Sequence, residues 1–416
     1  MSERIVIKEI CEVYDGPHAT PKKTVDGPVY LGIDAITDDG KINAKEFAHL
    51  SEEDYIKWTK RVTPQYGDIV FSYEATLGRY ALIPKDFYGC LGRRLAIIRN
   101  VSKDIDTLWL YYYFLSPEWK QFIQSKIIKG STVNRISVED FPTYTVPNIS
   151  IKVQRKIANI LSKIDEKIAL NNNINDNLEQ QARLLYDYWF TQFDFPDENG
   201  EPYRSSGGKM VWNEQLKRTI PDGWTTNHLS DIFTFKSGYS FSSDLYEVSG
   251  KYKLLTIKNV QNNGINLNVD NYINVLPDNV PDYCLLKAKD ILMSLTGNVG
   301  RVGIMYADNC LLNQRVALAE PVNINQQVFV YFLLKSDIIH KQYEMIANGS
   351  SQQNLSPIEA EKVIIAYNPE VATKFSTLCN EYLNTIVSNL AENQELINIR
   401  DWLLPMLMNG QATIND

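Results

Sequence analysis

With 416 residues, 44% of them hydrophobic and 22% charged, the chain is long enough for two or three globular domains with real cores. Its densest apolar stretch, residues 108–115, is too short and too rich in tyrosine for the ~18–20 residues of a membrane span, and the start MSERIVIKEI lacks the pattern of a secretory signal, so a cytoplasmic chain with no membrane partner is expected. The five cysteines (Cys11, Cys90, Cys284, Cys310, Cys379) are odd in number and far apart, which argues against a disulfide framework or a zinc site, and a net charge of −8 gives no overall attraction to nucleic acid.

In chain order, residues 1–148 string short segments rich in β-branched and aromatic residues between turns such as Asp38-Asp39-Gly40. This pattern predicts a mainly β or mixed domain. An aromatic-rich helical stretch follows at residues 107–123, then the patch Gly130-Ser131-Thr132. Residues 149–192 predict a long helix, in which Ile157, Leu161, Ile164, Ile168, Asn171, Asn175, Leu178, Ala182 and Leu185 fall at the 4-3 spacing of a coiled-coil seam. Residues 193–218, rich in Gly, Pro, Ser and charge, read as a connector. Residues 219–368 then resemble the first domain, and residues 369–416 predict a second long helix that Pro405 and Gly410 bring to an end.

The second half repeats the first. Asp68-Ile-Val-Phe-Ser72 matches Asp290-Ile-Leu-Met-Ser294, and Leu77-Gly78-Arg79 matches Val299-Gly300-Arg301, both at an offset of 222. Arg93-Arg94-Leu95-Ala96 matches Gln314-Arg315-Val316-Ala317 at 221, and Gly130-Ser131-Thr132 matches Gly349-Ser350-Ser351 at 219. The seam recurs as Cys379, Leu383, Ile386, Leu390, Asn393, Ile397, Arg400, Leu404 and Leu407, with asparagine in the same slot (Asn171, Asn393). An asparagine in an apolar seam lowers stability and specifies register. Helices of ~40 residues span about 60 Å, more than one small domain needs, although packing of each helix on its own domain is the simpler alternative. The expected fold is α/β in the α+β sense: two similar domains of mixed sheet and helix, separated by two long helices forming an antiparallel coiled coil. Such a calliper suits two half-sites at fixed spacing on DNA, whose helical turn is about 34 Å.

At this point the chain resembles the specificity (S) subunits of type I restriction–modification systems. The resemblance rests on the two-fold repeat, on Gln181-Ala-Arg-Leu-Leu-Tyr-Asp-Tyr-Trp-Phe190 leading into Phe193-Asp-Phe-Pro196, on Ile220-Pro-Asp-Gly-Trp224, and on Arg400-Asp-Trp-Leu-Leu-Pro405 with Gly410. It covers essentially the whole chain, except that the first half lacks its own Pro-Asp-Gly-Trp lead-in. It implies two target recognition domains, each reading one part of a split site on double-stranded DNA. It also implies helices that act as spacer and dock two modification (methyltransferase) subunits, with restriction (endonuclease/translocase) subunits joining them. S-adenosylmethionine, ATP and Mg are then expected on those partner subunits and no cofactor on this chain.

Base reading needs Arg for guanine and Asn or Gln for adenine, while Lys, Arg, Ser and Thr hold phosphates. Lys129, Ser131, Thr132, Asn134 and Arg135 supply these groups within seven residues. The matching patch, Ser350, Ser351, Gln352, Gln353 and Asn354, is a neutral, amide-rich version, as expected of two readers with different targets. A helix-stopping turn is the structural alternative. Arg79 and Arg301, each after a glycine, and Arg93-Arg94 with Gln314-Arg315 are further candidates for DNA contact, with ion pairing as the alternative. They fall in a local strip: residues 79–99 hold Arg79, Lys85, Arg93, Arg94 and Arg99 against Asp86 alone, and residues 120–135 hold four basic side chains and no acid.

No phosphate loop, dinucleotide fingerprint or amino-methyltransferase motif occurs, and His18, His49, His228 and His340 have no metal-ligand spacing. Glu118-Trp119-Lys120 is a weak match to the Glu-x-Lys of a metal-dependent nuclease. A DNA-reading subunit without catalytic residues is therefore expected. The alternatives are a scaffold whose domains bind proteins, and a self-contained site-specific nuclease or methyltransferase.

Overall fold

The computed structural model describes residues 3–130, 133–262, 264–349 and 353–412. Two compact units are present: one ends at Lys167 and takes in the chain from Leu396 onward, and the other is Ile168–Glu395. Each unit therefore contains one mixed domain and a piece of both long helices, Ile151–Tyr186 and Pro369–Met408.

In the first unit the central sheet is antiparallel, in the order Cys11–Asp15, Leu95–Asn100, Ile69–Ser72 and Tyr80–Leu82. Every residue of Ile69–Ser72 is buried, because both faces of the sheet are covered. Ile69 and Phe71 face one cluster with Trp109, Phe114, Trp119 and Phe141, while Val70 faces another with Leu31, Ile36, Ile83 and Leu91. A smaller sheet pairs Thr24–Leu31 with Ala48–His49 and, in parallel, with Gly89–Leu91. Arg4–Val6 pairs with Thr145–Pro147.

The aromatic stretch is split in two, Thr107–Leu115 and Pro117–Lys126. Ser116 ends the first helix and caps the second, its Oγ accepting from the Trp119 amide at 3.3 Å. Pro117 then occupies the first turn, where its missing N–H costs nothing.

The second unit repeats this plan. Its central sheet runs Phe233–Ser237, Val316–Pro321, Ile291–Ser294 and Val302–Ile304, and its side sheet holds Tyr252–Leu255 parallel to Cys310–Leu312. Thr225–His228 pairs with Ile364–Tyr367, and Gln327–Leu334 is followed by Lys335 and then Ser336, which caps Asp337–Ile346 as Ser116 caps its helix in the first unit.

The long helices pack antiparallel in both units. In the second unit, Asn171 Nδ2 donates to Asn393 Oδ1 at 2.9 Å, and one turn further Asn389 Nδ2 donates to Asn175 Oδ1 at 2.9 Å. Asn393 Nδ2 reaches Asn172 Oδ1 at 2.8 Å, and Asn171 also donates to Glu392. In the first unit, Arg400 Nη1 donates to Asp165 Oδ1 at 2.9 Å, while Tyr112 donates its hydroxyl to Asp165 Oδ2 at 2.7 Å. Ile157, Leu161, Ile168, Asn171, Leu383, Ile386, Asn393 and Leu404 are buried, and Ile164, Leu178 and Leu390 are half-buried. Pro405 lies inside the second helix rather than ending it. Gly410, at φ 73°, follows Met408, the last helical residue.

The stretch read as a connector is folded. Phe193 and Phe195 are buried against Trp224. Asp194 accepts from the Ser205 amide and hydroxyl at 2.7 and 2.6 Å, and Met210–Asn213 pairs with Arg218–Pro221. Apolar residues hidden among the Gly, Pro and charged ones anchor it to the second unit's core.

Two outcomes follow for stability. Asp165→Ala leaves Arg400 without its covered partner and should cost about 2 kcal/mol in urea unfolding. Asn171→Leu strands Asn393 Oδ1 and should cost about 1–2 kcal/mol, whereas the pair Asn171→Leu with Asn393→Leu should recover most of it, a non-additivity that a double-mutant cycle measures.

Candidate nucleic-acid interface

In each unit the end of a buried strand turns outward over a serine and a glycine. Ser72 Oγ accepts from the Arg79 amide at 3.0 Å, and Gly78 donates to the Ser72 carbonyl at 2.9 Å. The second unit copies this frame: Ser294 Oγ accepts from the Arg301 amide at 3.2 Å, and Gly300 donates to the Ser294 carbonyl at 3.0 Å. Gly78 and Gly300 sit at φ 72° and 78°, a left-handed conformation that a side chain would strain.

A second segment runs beside this turn. Ile128 and Arg135 exchange both backbone hydrogen bonds, at 2.9 and 3.1 Å, and the next amide, Ile136, donates to the Tyr73 carbonyl at 2.8 Å. In the second unit Asn348 and Asn354 exchange theirs at 2.9 and 2.7 Å, and Leu355 donates to the Leu295 carbonyl at 2.8 Å. Both bridges lie after the helices Pro117–Lys126 and Asp337–Ile346 have ended. A third segment completes the frame: just before the strands Leu95–Asn100 and Val316–Pro321, the carbonyls of Arg94 and Arg315 accept from the Tyr73 and Leu295 amides, each at 3.1 Å.

Tertiary contacts separate the candidate residues into two groups. Lys129, Asn134, Arg135, Gln353 and Asn354 are exposed, as are Arg93, Gln314 and Arg315. Ser131, Thr132, Ser350, Ser351 and Gln352 lie outside the described residues. Arg93, Arg135 and Arg315 have no carboxylate partner among the described residues. Arg93 stands on a polar cleft of about 340 Å³ lined also by Thr20, Lys23, Tyr30, Asp34 and Glu46, and its amide donates to the Tyr30 hydroxyl at 3.1 Å. Lys23 and Thr20 carry no motif and were reachable only through the fold.

Arg79 belongs to the second group. Its Nε and Nη2 meet Asp38 at 2.6 and 3.2 Å, and Nη1 donates to the Ile36 carbonyl at 3.0 Å, so it braces a neighbouring turn. Arg94 pairs with Glu74 at 3.1 Å. Arg99 is held by the buried Asp68 at 2.6 and 2.8 Å, and these hydrogen bonds raise its pKa above the usual value despite burial. Three of the five cations in the 79–99 strip are thus paired by acids from outside it. Arg301 instead meets the Asn298 amide oxygen at 3.0 and 3.2 Å once that amide is turned to face it.

The catalytic alternatives find no assembly here. Glu118 bonds Arg4 at 3.0 Å and the Tyr113 hydroxyl at 3.1 Å, and the Trp119 between it and Lys120 is buried against Tyr80. Among the described residues, no group of three His, Cys, Asp or Glu is placed to hold a metal ion. The five cysteines are free and buried; burial pushes the thiols of Cys11 and Cys90 up to about 12.

A family described as the type I restriction modification DNA specificity domain matches residues 2–180 and 221–367, and the chain belongs to this family. It is 25% identical over 374 residues to the type I restriction enzyme MjaIX specificity subunit of Methanocaldococcus jannaschii, covering 88% of this chain and 82% of that protein. It is 24% identical over 399 residues to the HindI specificity subunit of Haemophilus influenzae, covering 83% and 86% respectively. The crystal structure of the type I restriction–modification system S subunit from M. genitalium shares the fold at a TM-score of 0.55 and 19% identity, over 99% of this chain and 96% of that one.

The grouping predicts opposite stability responses. Arg79→Ala should lower unfolding stability by about 1 kcal/mol through loss of the Asp38 and Ile36 contacts. Arg135→Ala should stay within about 0.5 kcal/mol, since its side chain touches little. Paired denaturation curves measure both.

Proposed function

We propose that this chain, a DNA specificity subunit of a type I restriction–modification system, reads an asymmetric, two-part site on duplex DNA, one part through each unit. One observation carries the reading: two backbone frames match hydrogen bond for hydrogen bond, yet present different exposed side chains at the same slots. A duplicated structural turn has no need of that divergence, whereas two readers of different sequences require it. Lys129, Arg135 and Arg315 supply phosphate or base contacts, and exposed amides at Asn134, Gln314, Gln353 and Asn354 supply paired donors and acceptors.

The acidic total makes the electrostatic contribution modest, so affinity rests on these local groups and on partner subunits. The paired long helices set the spacing between the half-sites and dock two modification subunits. Those subunits carry S-adenosylmethionine and transfer the methyl group, and restriction subunits supply the ATP- and Mg-dependent cleavage. This chain contributes recognition and no catalytic group. No helix among the described residues is long and apolar enough to cross a membrane.

Selection from randomised duplex DNA followed by sequencing tests the reading. A split motif with unequal halves and a fixed gap is expected; absence of any enriched motif would sink it in favour of a protein-binding scaffold. Methyl transfer by this chain alone would overturn the assignment of chemistry to partners. Arg135→Ala with Asn134→Ala should weaken only one half-site, with a shallower salt dependence of binding; equal fading of both halves would remove residues 129–135 from the interface.

A further inference from the structure

The two frames differ in a consistent chemical direction. At the bridge slot the first unit carries Arg135 and the second Asn354. Both close the same exchange of backbone hydrogen bonds, and both precede an amide that donates at 2.8 Å to the same carbonyl of the buried-strand turn. At the slot before the shared Arg94 and Arg315, the first unit carries Arg93 and the second Gln314. All four side chains are exposed. Twice, at backbone positions fixed by the same bonds, a guanidinium in the first unit is replaced by an amide in the second.

The neighbouring charges change as well. In the first unit Glu74 pairs with Arg94 at 3.1 Å. The second unit has Thr296 in the slot of Glu74, and Arg315 has no carboxylate partner among the described residues. Arg94 is thereby tied to the frame, leaving Arg93 and Arg135 as its outward arginines. In the second unit Arg315 is the outward cation, flanked by amides.

A guanidinium only donates, and its paired N–H groups match the two acceptors, N7 and O6, on the major-groove edge of guanine. It has no acceptor for the N6 amino group of adenine. A carboxamide offers one donor and one acceptor side by side, which match N7 and N6 of adenine. We propose that the first unit selects guanine through Arg135 and Arg93, and the second selects adenine through Asn354 and Gln314, at the corresponding base pair of each half-site. The assignment rests on the DNA-reading function proposed above and adds which residues set specificity, and for which base.

Exchange of the residues between the frames tests it, because each variant installs the side chain that the matching backbone slot already carries. The full chain, assembled with its modification subunits, is selected against a randomised duplex library as wild type and as Arg135→Asn, Arg93→Gln, Asn354→Arg and Gln314→Arg. Thermal melting confirms that each variant is folded. Asn354→Arg or Gln314→Arg should move one position of one half-site from adenine to guanine by roughly 10-fold or more, with the other half unchanged. Arg135→Asn or Arg93→Gln should move one position of the other half from guanine to adenine by a similar factor. Folded variants that keep the wild-type base preference, or that lose a half-site without gaining a new base, overturn the assignment. A wild-type selection without any split motif instead overturns the DNA-reading function itself, so the two failures are separable.

Discussion

The structure depends first on the antiparallel register of the two long helices. In neither unit does the mixed domain close its core without the helix segments of that unit. Ile157 and Leu161 from the first helix and Leu404, Leu407 and Met408 from the second complete the first core. Ala182 and Tyr186 meet Phe375, Cys379 and Leu383 in the second. A slip of one turn would displace all of these together. The bonds Asn171–Asn393 and Asn175–Asn389 resist such a slip, since a buried amide moved to an apolar neighbour loses its partner. In the first unit the equivalent role falls to Arg400 on Asp165, where burial opposes the charge of Arg400 but the hydrogen bonds and negative charges of Asp165 and Asp401 together outweigh it.

With the cores closed, each unit can hold an outer frame that needs no help from its exposed side chains. Ser72 and Ser294, Gly78 and Gly300, and the bridges at Arg135 and Asn354 use backbone groups, a hydroxyl and a permitted left-handed glycine. Side chains outside that set are free to differ. A recognition protein has use for such a division, because the frame keeps the contact positions while the residues on them change. In the function proposed above, Arg93 and Gln314, or Arg135 and Asn354, are such positions. Arg79 is the contrary case, since its guanidinium is committed to Asp38 and Ile36.

Much of the architecture was legible in the residue order. Sequence periodicity revealed the seam from Ile157 to Leu407, because an apolar stripe at 4-3 spacing has few uses other than helix packing. The duplicated motifs announced two similar domains, and the frame residues inside them turned out to be the ones whose backbone bonds recur. Charge strips misled. The run from Arg79 to Arg99 looks short of acids only along the chain; Asp38, Asp68 and Glu74 reach Arg79, Arg99 and Arg94 through space. The stretch 193–218 reads as a connector because its Gly, Pro and charged residues outnumber its aromatics, yet a few buried rings suffice to hold it.

By itself, the sequence determined the repeat, the helix periodicity and the residue types available at each candidate loop, all properties carried by neighbours along the chain. Only the tertiary structure decided which cations remain outward, because ion pairing depends on acids brought close by sheet order and not by sequence distance. It also decided the backbone geometry of the matched pairs, Arg135 with Asn354 and Arg93 with Gln314, since the hydrogen bonds that hold these positions join segments distant along the chain.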